Sequence, residues 1–295
     1  MHDDWELDPA QPKPKKKRHW FRRIAVILIV LLLPGLDQSL VVRRYLMDVE
    51  TISDRVRLAL ITDLHSNPYG KEQQTLLDAV EQQEPDVVLL GGDIFDERMD
   101  TKAAETTLRV LGEIYPCYYV IGNHECWGTM EPFEADMRIL HDCGIEILSG
   151  ETVTLTVNGQ TFDLCGVDDP IAYPFPPEEG QEKRLDFAAQ LKQVKAASDN
   201  GHYTVLLSHR PERFEEYVEQ GFDLVLSGHA HGGQWRIPFL LNGLYAPDQG
   251  LFPKYAGGMY QSGSTTMIVS RGLARITPLV PRIYDRPELV IVDLE

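Results

Sequence analysis

Residues 56–65 read Val56-Arg57-Leu58-Ala59-Leu60-Ile61-Thr62-Asp63-Leu64-His65: a short, largely apolar run of strand length that ends in an acid and an imidazole. The same device recurs along the chain. Val87-Val88-Leu89-Leu90 runs into Gly91-Gly92-Asp93, and residues 118–121 run into Gly122-Asn123-His124-Glu125. Residues 203–207 lead to Ser208-His209, and residues 224–226 lead to Gly228-His229-Ala230-His231-Gly232-Gly233-Gln234. Apolar runs of this length between turn signals read as buried strands. In open α/β sheets the carboxyl ends of strands form the ligand crevice, so these five polar strand ends are expected to converge.

Helical periodicity fills the gaps between the runs. Residues 73–83 place Leu76, Leu77 and Val80 on one face, residues 101–113 are helical in pattern, and residues 131–142 carry Pro132 just inside the first turn. Strand and helix in alternation give the α/β class. The middle of the chain breaks that alternation: Val153-Thr154-Leu155-Thr156-Val157, Asn158-Gly159 and Thr161-Phe162-Asp163-Leu164-Cys165-Gly166 form a hairpin signal. The sheets are therefore expected to be mixed. A loop with Pro170, Pro174, Pro176 and Pro177 leads to a predicted helix over 183–197. Strands follow at 203–207 and 224–226, with a short helix over 212–219 between them. After a Gly, Pro and aromatic stretch to about residue 260, strands are predicted near 266–269 and 289–292. No repeat or linker divides residues 55–295.

The strand ends offer His, Asp and Asn but no Cys. That donor set suits borderline divalent ions such as Mn, Fe, Ni or Zn rather than a thiolate zinc site. Asp63 and His65 are two residues apart, as are His229 and His231, so each pair shares a face at a strand end and can grip one ion cluster. His2, His19, His141 and His202 lie outside the pattern and read as ordinary residues.

A chain of 295 residues, 43% hydrophobic and 25% charged, is long enough for a substantial core and fits neither wholesale disorder nor a multi-span membrane protein. Its net charge of −17 is unevenly spread. Before residue 24 there are seven basic and four acidic residues; the remainder holds 21 basic and 41 acidic, a net of −20. So acidic a body repels a polyphosphate, and counter-ion release cannot drive generic nucleic-acid binding. Cys117, Cys126, Cys143 and Cys165 show no C-x-x-C spacing and are expected as unpaired thiols.

The basic head, residues 1–23, precedes an unbroken run of ten apolar residues, Ile24-Ala25-Val26-Ile27-Leu28-Ile29-Val30-Leu31-Leu32-Leu33, closed by Pro34-Gly35. A bilayer crossing needs about 20 apolar residues. Widening the window to residues 24–45 takes in Pro34, Asp37, Gln38 and Ser39, and no small-residue cleavage pattern follows. The expectation is an uncleaved signal anchor over residues 24–45. Its basic side would lie in the cytoplasm, placing the protein at the cell membrane with an extracytoplasmic catalytic body.

Taken in order, D-x-H, GD, GNHE, SH and GHAHGGQ resemble the motifs of the calcineurin-like metallophosphoesterases, from about residue 56 to the C-terminus. The chain is most similar to the bacterial membrane-associated branch. The features that carry this are the GNHE and GHxHGGQ forms, the N-terminal anchor, and the stretch from Trp235 through Lys254-Tyr255-Ala256-Gly257-Gly258 to Ser270-Arg271-Gly272. That branch is linked to UDP-2,3-diacylglucosamine hydrolase and phosphodiesterase activity. The resemblance implies a four-layer αββα sandwich of two mixed sheets. It implies one divalent ion held by Asp63, His65, Asp93 and His231, and a second held by Asp93, Asn123, His209 and His229, with Asp93 bridging. It also implies that His124 faces the substrate and protonates the leaving oxygen, with Asp96 as its dyad partner; Glu125, as the adjacent residue, is expected to point away.

Two divalent ions against ionised Asp63 and Asp93 leave a cluster of about +2, which binds a phosphate oxygen and sets a bridging hydroxide in line with the leaving group. Trp127 and Trp235 follow two ligand motifs directly and are candidate substrate-stacking rings. The apolar stretch with Ile237, Phe239, Leu240, Leu244, Leu251 and Phe252 reads either as a lid facing a bilayer, admitting phospholipid-like or nucleotide-lipid substrates, or as a loop folded onto the core. Hydrolysis of a phosphodiester or pyrophosphate is the expected reaction. The alternatives are a phosphomonoesterase or nuclease of the same fold, or a membrane-tethered binding protein with a vestigial site, against which the complete ligand set argues.

Overall fold

Strand Val56–Ile61 is buried on both faces. Val56, Leu58 and Leu60 point into a core shared with a second sheet, where they meet Phe162, Leu164, Val205, Leu207 and Leu224. Ala59 and Ile61 point the other way, toward Leu76, Val80, Leu108 and Leu140 of three helices. A strand covered on both sides needs a continuous apolar run rather than alternation, and the sequence supplies one. These relations come from a computed structural model that describes residues 16–175, 184–275 and 281–295. The first fifteen residues of the basic head, Pro176 and Pro177 of the proline-rich loop, and Lys183 at the expected helix start lie outside the described residues.

The first sheet has the order Val41–Met47, Glu288–Leu294, Val56–Ile61, Val87–Leu90, Cys117–Tyr119, Glu146–Ile147. The second runs Gly258–Ser262, Thr265–Val269, Leu224–Ser227, Tyr203–Ser208, Gln160–Val167, Glu151–Val157. Helices Gln74–Glu81, Lys102–Ile114 and Met130–Asp142 cover the outer face of the first, and Phe187–Ala197 and Phe214–Gln220 cover that of the second. The result is the expected αββα layering with mixed sheets. In the first, Val56–Ile61 is parallel to Val87–Leu90 and antiparallel to Glu288–Leu294. In the second, Gln160–Val167 is parallel to Tyr203–Ser208 and antiparallel to Glu151–Val157. The Asn-Gly hairpin turn adopts φ of 53° at Asn158 and 77° at Gly159, the left-handed pair that such a turn requires.

The N-terminal expectation needs correction. Residues 24–45 do not form one anchor: helix Lys16–Leu32 and the turn Leu33–Leu36 end before Val41–Met47, which pairs parallel with Glu288–Leu294 from Val41 opposite Glu288 to Met47 opposite Leu294. The sheet therefore takes in residues 41–47, ahead of the boundary expected at residue 55. Among the described residues, no helix is long and apolar enough to cross a membrane. The helix expected over 183–197 begins at Phe187, where Asp186 caps it by accepting from the Ala189 N–H at 2.8 Å.

Candidate metal centre

The five polar strand ends do converge, but from two sheets. Val56–Ile61, Val87–Leu90 and Cys117–Tyr119 of the first sheet deliver Asp63, His65, Asp93 and Asn123; Tyr203–Ser208 and Leu224–Ser227 of the second deliver His209, His229 and His231. Main-chain bonds lock the loops together. The Asp63 N–H donates to Gly92 O at 3.0 Å, the His65 N–H to Asp93 O at 2.9 Å and the Gly228 N–H to His209 O at 3.2 Å. Asp63 and Asp93 are fully buried, and neither has room for a larger neighbour. A Cβ on Gly122 would stand 2.3 Å from Asp93 Oδ1, and one on Gly228 would stand 2.5 Å from Asp63 Oδ2.

Two groupings of ligand atoms result. Asp63, His65 and His231 form one, and Asp93, His209 and His229 the other, with ligand atoms in each within 4.8 Å of one another. Asp93 Oδ2 lies 3.2 Å from His209 Nε2 and 3.6 Å from His65 Nε2, so this carboxylate stands between the groups. Asp63 accepts from the His229 N–H at 3.0 and 3.2 Å, but most of the donor atoms are without partners. His65 Nε2, Asp93 Oδ2, Asn123 Oδ1, His209 Nε2, His229 Nδ1 and His231 Nδ1 are all buried and make no hydrogen bond among the described residues. Native interiors tolerate few such orphans, and six in one pocket fit a site for two divalent cations. Six of the seven sequence-derived candidates thus come together by distance, and for Asn123 the observation is its buried Oδ1 without a hydrogen bond.

Electrostatics point the same way. Burial opposes a charged His209, but the Asp93 carboxylate outweighs it and lifts the imidazole to about 10. Burial likewise opposes the charged form of Asp93, and His209 holds it well below the usual carboxylate range. The Asp93–His209 pair thus favours a positive charge beside Asp93, whereas burial, then His65, holds His231 well below the usual imidazole range. His209 Nδ1 lies 2.7 Å from Gly91 O and His65 Nδ1 lies 3.1 Å from Asp96 Oδ2, which orients each ring so that Nε2 faces Asp93.

The backbone is strained at the same places. Asp63, His65, Asp93, His229 and His231 all have φ between 45° and 64°, left-handed geometry that costs a side-chain-bearing residue about 1 to 3 kcal/mol each. Strain on this scale persists only where packing and bonding over-determine it. Glu125 does part of this. Fully enclosed, it accepts from four N–H groups: Asp93 at 3.1 Å, Ile94 at 2.8 Å, Phe95 at 3.1 Å and Gly122 at 2.9 Å. Burial, then the nearby Asp93 charge, raises its carboxyl to about 7.

His124 sits beside the clusters, its ring centroid 4.3 Å from that of His65. Its partner differs from the one expected. Glu97 Oε2 lies 2.8 Å from His124 Nδ1, whereas Asp96 Oδ2 is 3.6 Å from that atom and nearer His65. Asp96 thus lies behind His65, and Glu97 is the carboxylate within hydrogen-bond distance of His124. Trp127 packs on His124 with ring centroids 4.0 Å apart. Trp235 is held elsewhere, its Nε1–H donating to Pro281 O at 2.9 Å, so its polar edge is satisfied by the C-terminal segment.

A network of Arg210, Asp169 and His229, all buried, with the exposed Asp248 escaped the sequence reading. The Arg210 guanidinium grips Asp169 and Asp248 and lies 3.1 Å from His229 Nε2, while Asp248 Oδ2 is 3.0 Å from the same nitrogen. It leaves Nδ1 as the ligating atom of His229. A signal was available, since Asp168-Asp169 closes strand Gln160–Val167 just as the ligand motifs close theirs.

Comparison with known proteins agrees with this geometry. A family model described as calcineurin-like phosphoesterase matches residues 56–233. An "Uncharacterized metallophosphoesterase" of Helicobacter pylori (strain J99) is 32% identical over 229 residues, which cover 76% of this chain and 56% of that protein. Phosphodiesterase YaeI of Escherichia coli is 27% identical over 81% of this chain and 82% of its own length. The chain spans only a little over half the length of the Helicobacter relatives. Among solved structures, a dimetal phosphatase from Danio rerio aligns with a TM-score of 0.50 at 17% identity, covering 76% of this chain and 89% of that one, a likeness of fold.

Two predictions follow from the enclosed carboxyls. Glu125→Ala leaves four buried N–H groups without an acceptor and should weaken divalent-ion binding by about 10- to 100-fold, read by calorimetric titration of Mn. Asp136, on helix Met130–Asp142, is raised to about 7 by burial and then by the Glu125 charge. The folded state thus holds this proton more tightly than the unfolded chain, whose carboxyl titrates near 3.8, and its contribution to stability falls as pH rises from about 4 to about 7. Asp136→Asn should therefore stabilise the protein relative to the parent by an amount that grows over that interval and is level above it, measured by urea unfolding at several pH values.

Proposed function

Because the chain belongs to the calcineurin-like phosphoesterase family, we propose that it is a two-metal hydrolase of phosphodiesters. The observation that carries the reading is Asp93, whose Oδ2 makes no hydrogen bond and stands between His65 Nε2 and His209 Nε2, ring nitrogens equally without one. Asp63, His65, Asp93 and His231 would hold one ion, and Asp93, Asn123, His209 and His229 the other; Mn, Fe, Ni or Zn suit these oxygen and nitrogen donors. When bound, such ions supply a Lewis acid for a phosphate oxygen and a water of lowered pKa.

The remaining work falls to the protein's own groups. Glu97 accepts from Nδ1–H of His124 and fixes the ring, which leaves Nε2 to exchange a proton with the leaving oxygen. Burial, opposed by Asp93, depresses the His124 pKa, so the imidazole is neutral at rest. An anionic substrate beside it favours the protonated form, which is the one that donates. Trp127, stacked on His124 and half exposed, excludes water from one side of that ring.

Charge favours a diester over a monoester. Asp96 and Glu97 flank His124, so a dianionic monoester meets more repulsion there than a monoanionic diester. YaeI, whose own length is matched over 82%, bears the name phosphodiesterase, and this supports the same choice.

Metal-loaded protein should hydrolyse bis(4-nitrophenyl) phosphate faster than 4-nitrophenyl phosphate. His124→Ala should lower kcat by about 10²- to 10⁴-fold with metal content unchanged. A preference for the monoester would overturn the diester assignment, and loss of metal in the variant would overturn the role given to His124.

A further inference from the structure

Two apolar features stand exposed. The first is helix Lys16–Leu32, in which Val26, Ile27, Ile29, Val30 and Leu32 are all exposed. The ten-residue run Ile24 to Leu33 is apolar at every position, so at about 100° per residue its sequence is apolar all the way round the helix. The second is the loop after the GHAHGGQ motif, whose tip carries Phe239, as open to solvent as in an isolated residue, and Leu240 at 84% exposure, with Ile237 and Phe252 exposed nearby.

The chain's own bonds link the foot of the helix to the base of the loop. Gly35, at the foot of the helix, accepts from the Tyr284 N–H at 2.7 Å, and the Tyr284 ring packs against it. The preceding residue, Ile283, donates to Gln234 O and accepts from the Arg236 N–H, each at 2.9 Å. The loop is also tied to the metal centre. Arg236 Nη1 donates to Gly232 O at 3.1 Å, the Leu244 N–H to Gly233 O at 2.9 Å, and Asp248 reaches His229.

We infer that helix Lys16–Leu32 and the loop tip Phe239-Leu240 dock together on the surface of an anionic phospholipid bilayer and bring the metal centre to lipid headgroups. Three observations select this occupant. A helix apolar on all sides suits a lipid bath, whereas a protein partner would cover one face. Its ten-residue apolar run measures about 15 Å, half a bilayer core, so it enters one leaflet without crossing. Lys16, Lys17, Arg18, Arg22 and Arg23, with Trp20 among them, precede that run and match anionic headgroups. A second copy of a chain with net charge −17 would meet repulsion instead. Two insertion points, helix and loop, provide the pair of signals that stable attachment requires. Resting on the diesterase reading, the inference narrows the substrate to a membrane-resident phosphodiester.

The test uses the full metal-loaded chain and vesicles of phosphatidylcholine with and without phosphatidylglycerol. Flotation should occur with the anionic vesicles, and the double change Phe239→Asp and Leu240→Asp should reduce partitioning by about 10- to 100-fold. Turnover of bis(4-nitrophenyl) phosphate should be unchanged in that variant, which also shows that it folds, while release of phosphorus-containing headgroup from phosphatidylglycerol should fall with partitioning. Absence of flotation, flotation indifferent to the double change, or a parent dimer that the double change converts to monomer would each overturn the docking. Intact flotation with no hydrolysis of the soluble probe would uphold the docking and reject the diesterase reading.

Discussion

A fully buried carboxylate with an unpartnered oxygen is the constraint around which this molecule is organised. Asp93 places Oδ2 between His65 Nε2 at 3.6 Å and His209 Nε2 at 3.2 Å, and among the described residues this oxygen makes no hydrogen bond. Charge buried in this way is costly unless a counter-charge is supplied, and the surrounding imidazoles turn ring nitrogens inward rather than toward hydrogen-bond partners. Glycines at 122 and 228 make room for the two carboxylates, and Glu125 ties down the backbone on either side of Asp93. Left-handed backbone at five of the seven donors is the local cost of aiming them at one another.

The sandwich explains why so acidic a protein can still gather an anion. Each sheet presents the carboxyl ends of its parallel strands at one edge, so donors nearly 170 residues apart in sequence meet where the sheets abut. The negative charge elsewhere is solvated and screened over about 8–10 Å at physiological salt, whereas a cation pair in an enclosed pocket acts at contact range. Selectivity then depends on the immediate neighbours, chiefly Glu97, Asp96 and Trp127 around His124.

Much of this was legible in the sequence because buried strands write themselves as apolar runs and ligands sit at their ends. The convergence of polar strand ends and the mixed sheets were readable on those grounds, while the choice of seven ligands among those ends came from the family resemblance. Strand Val41–Met47 was not, since it is a sheet edge with exposed Arg43 and Arg44 and follows an apolar run that drew it into the supposed anchor. The His124 partner was misassigned between neighbours: Asp96 and Glu97 are adjacent, and only the backbone path decides which carboxylate reaches which imidazole. Glu125 was expected to point away and does, but its four N–H contacts depend on a loop conformation that no spacing rule encodes. Arg210, Asp169 and Asp248 lie in three separate segments, and their network appears only once the second sheet is folded.

The account stands on two cations sharing one carboxylate. Elemental analysis by mass spectrometry after equilibration with excess Mn and dialysis measures this directly. Two ions should remain per chain, and Asp93→Asn should retain fewer than one. A parent chain holding a single ion or none, or an Asp93→Asn chain that still holds two, would contradict it.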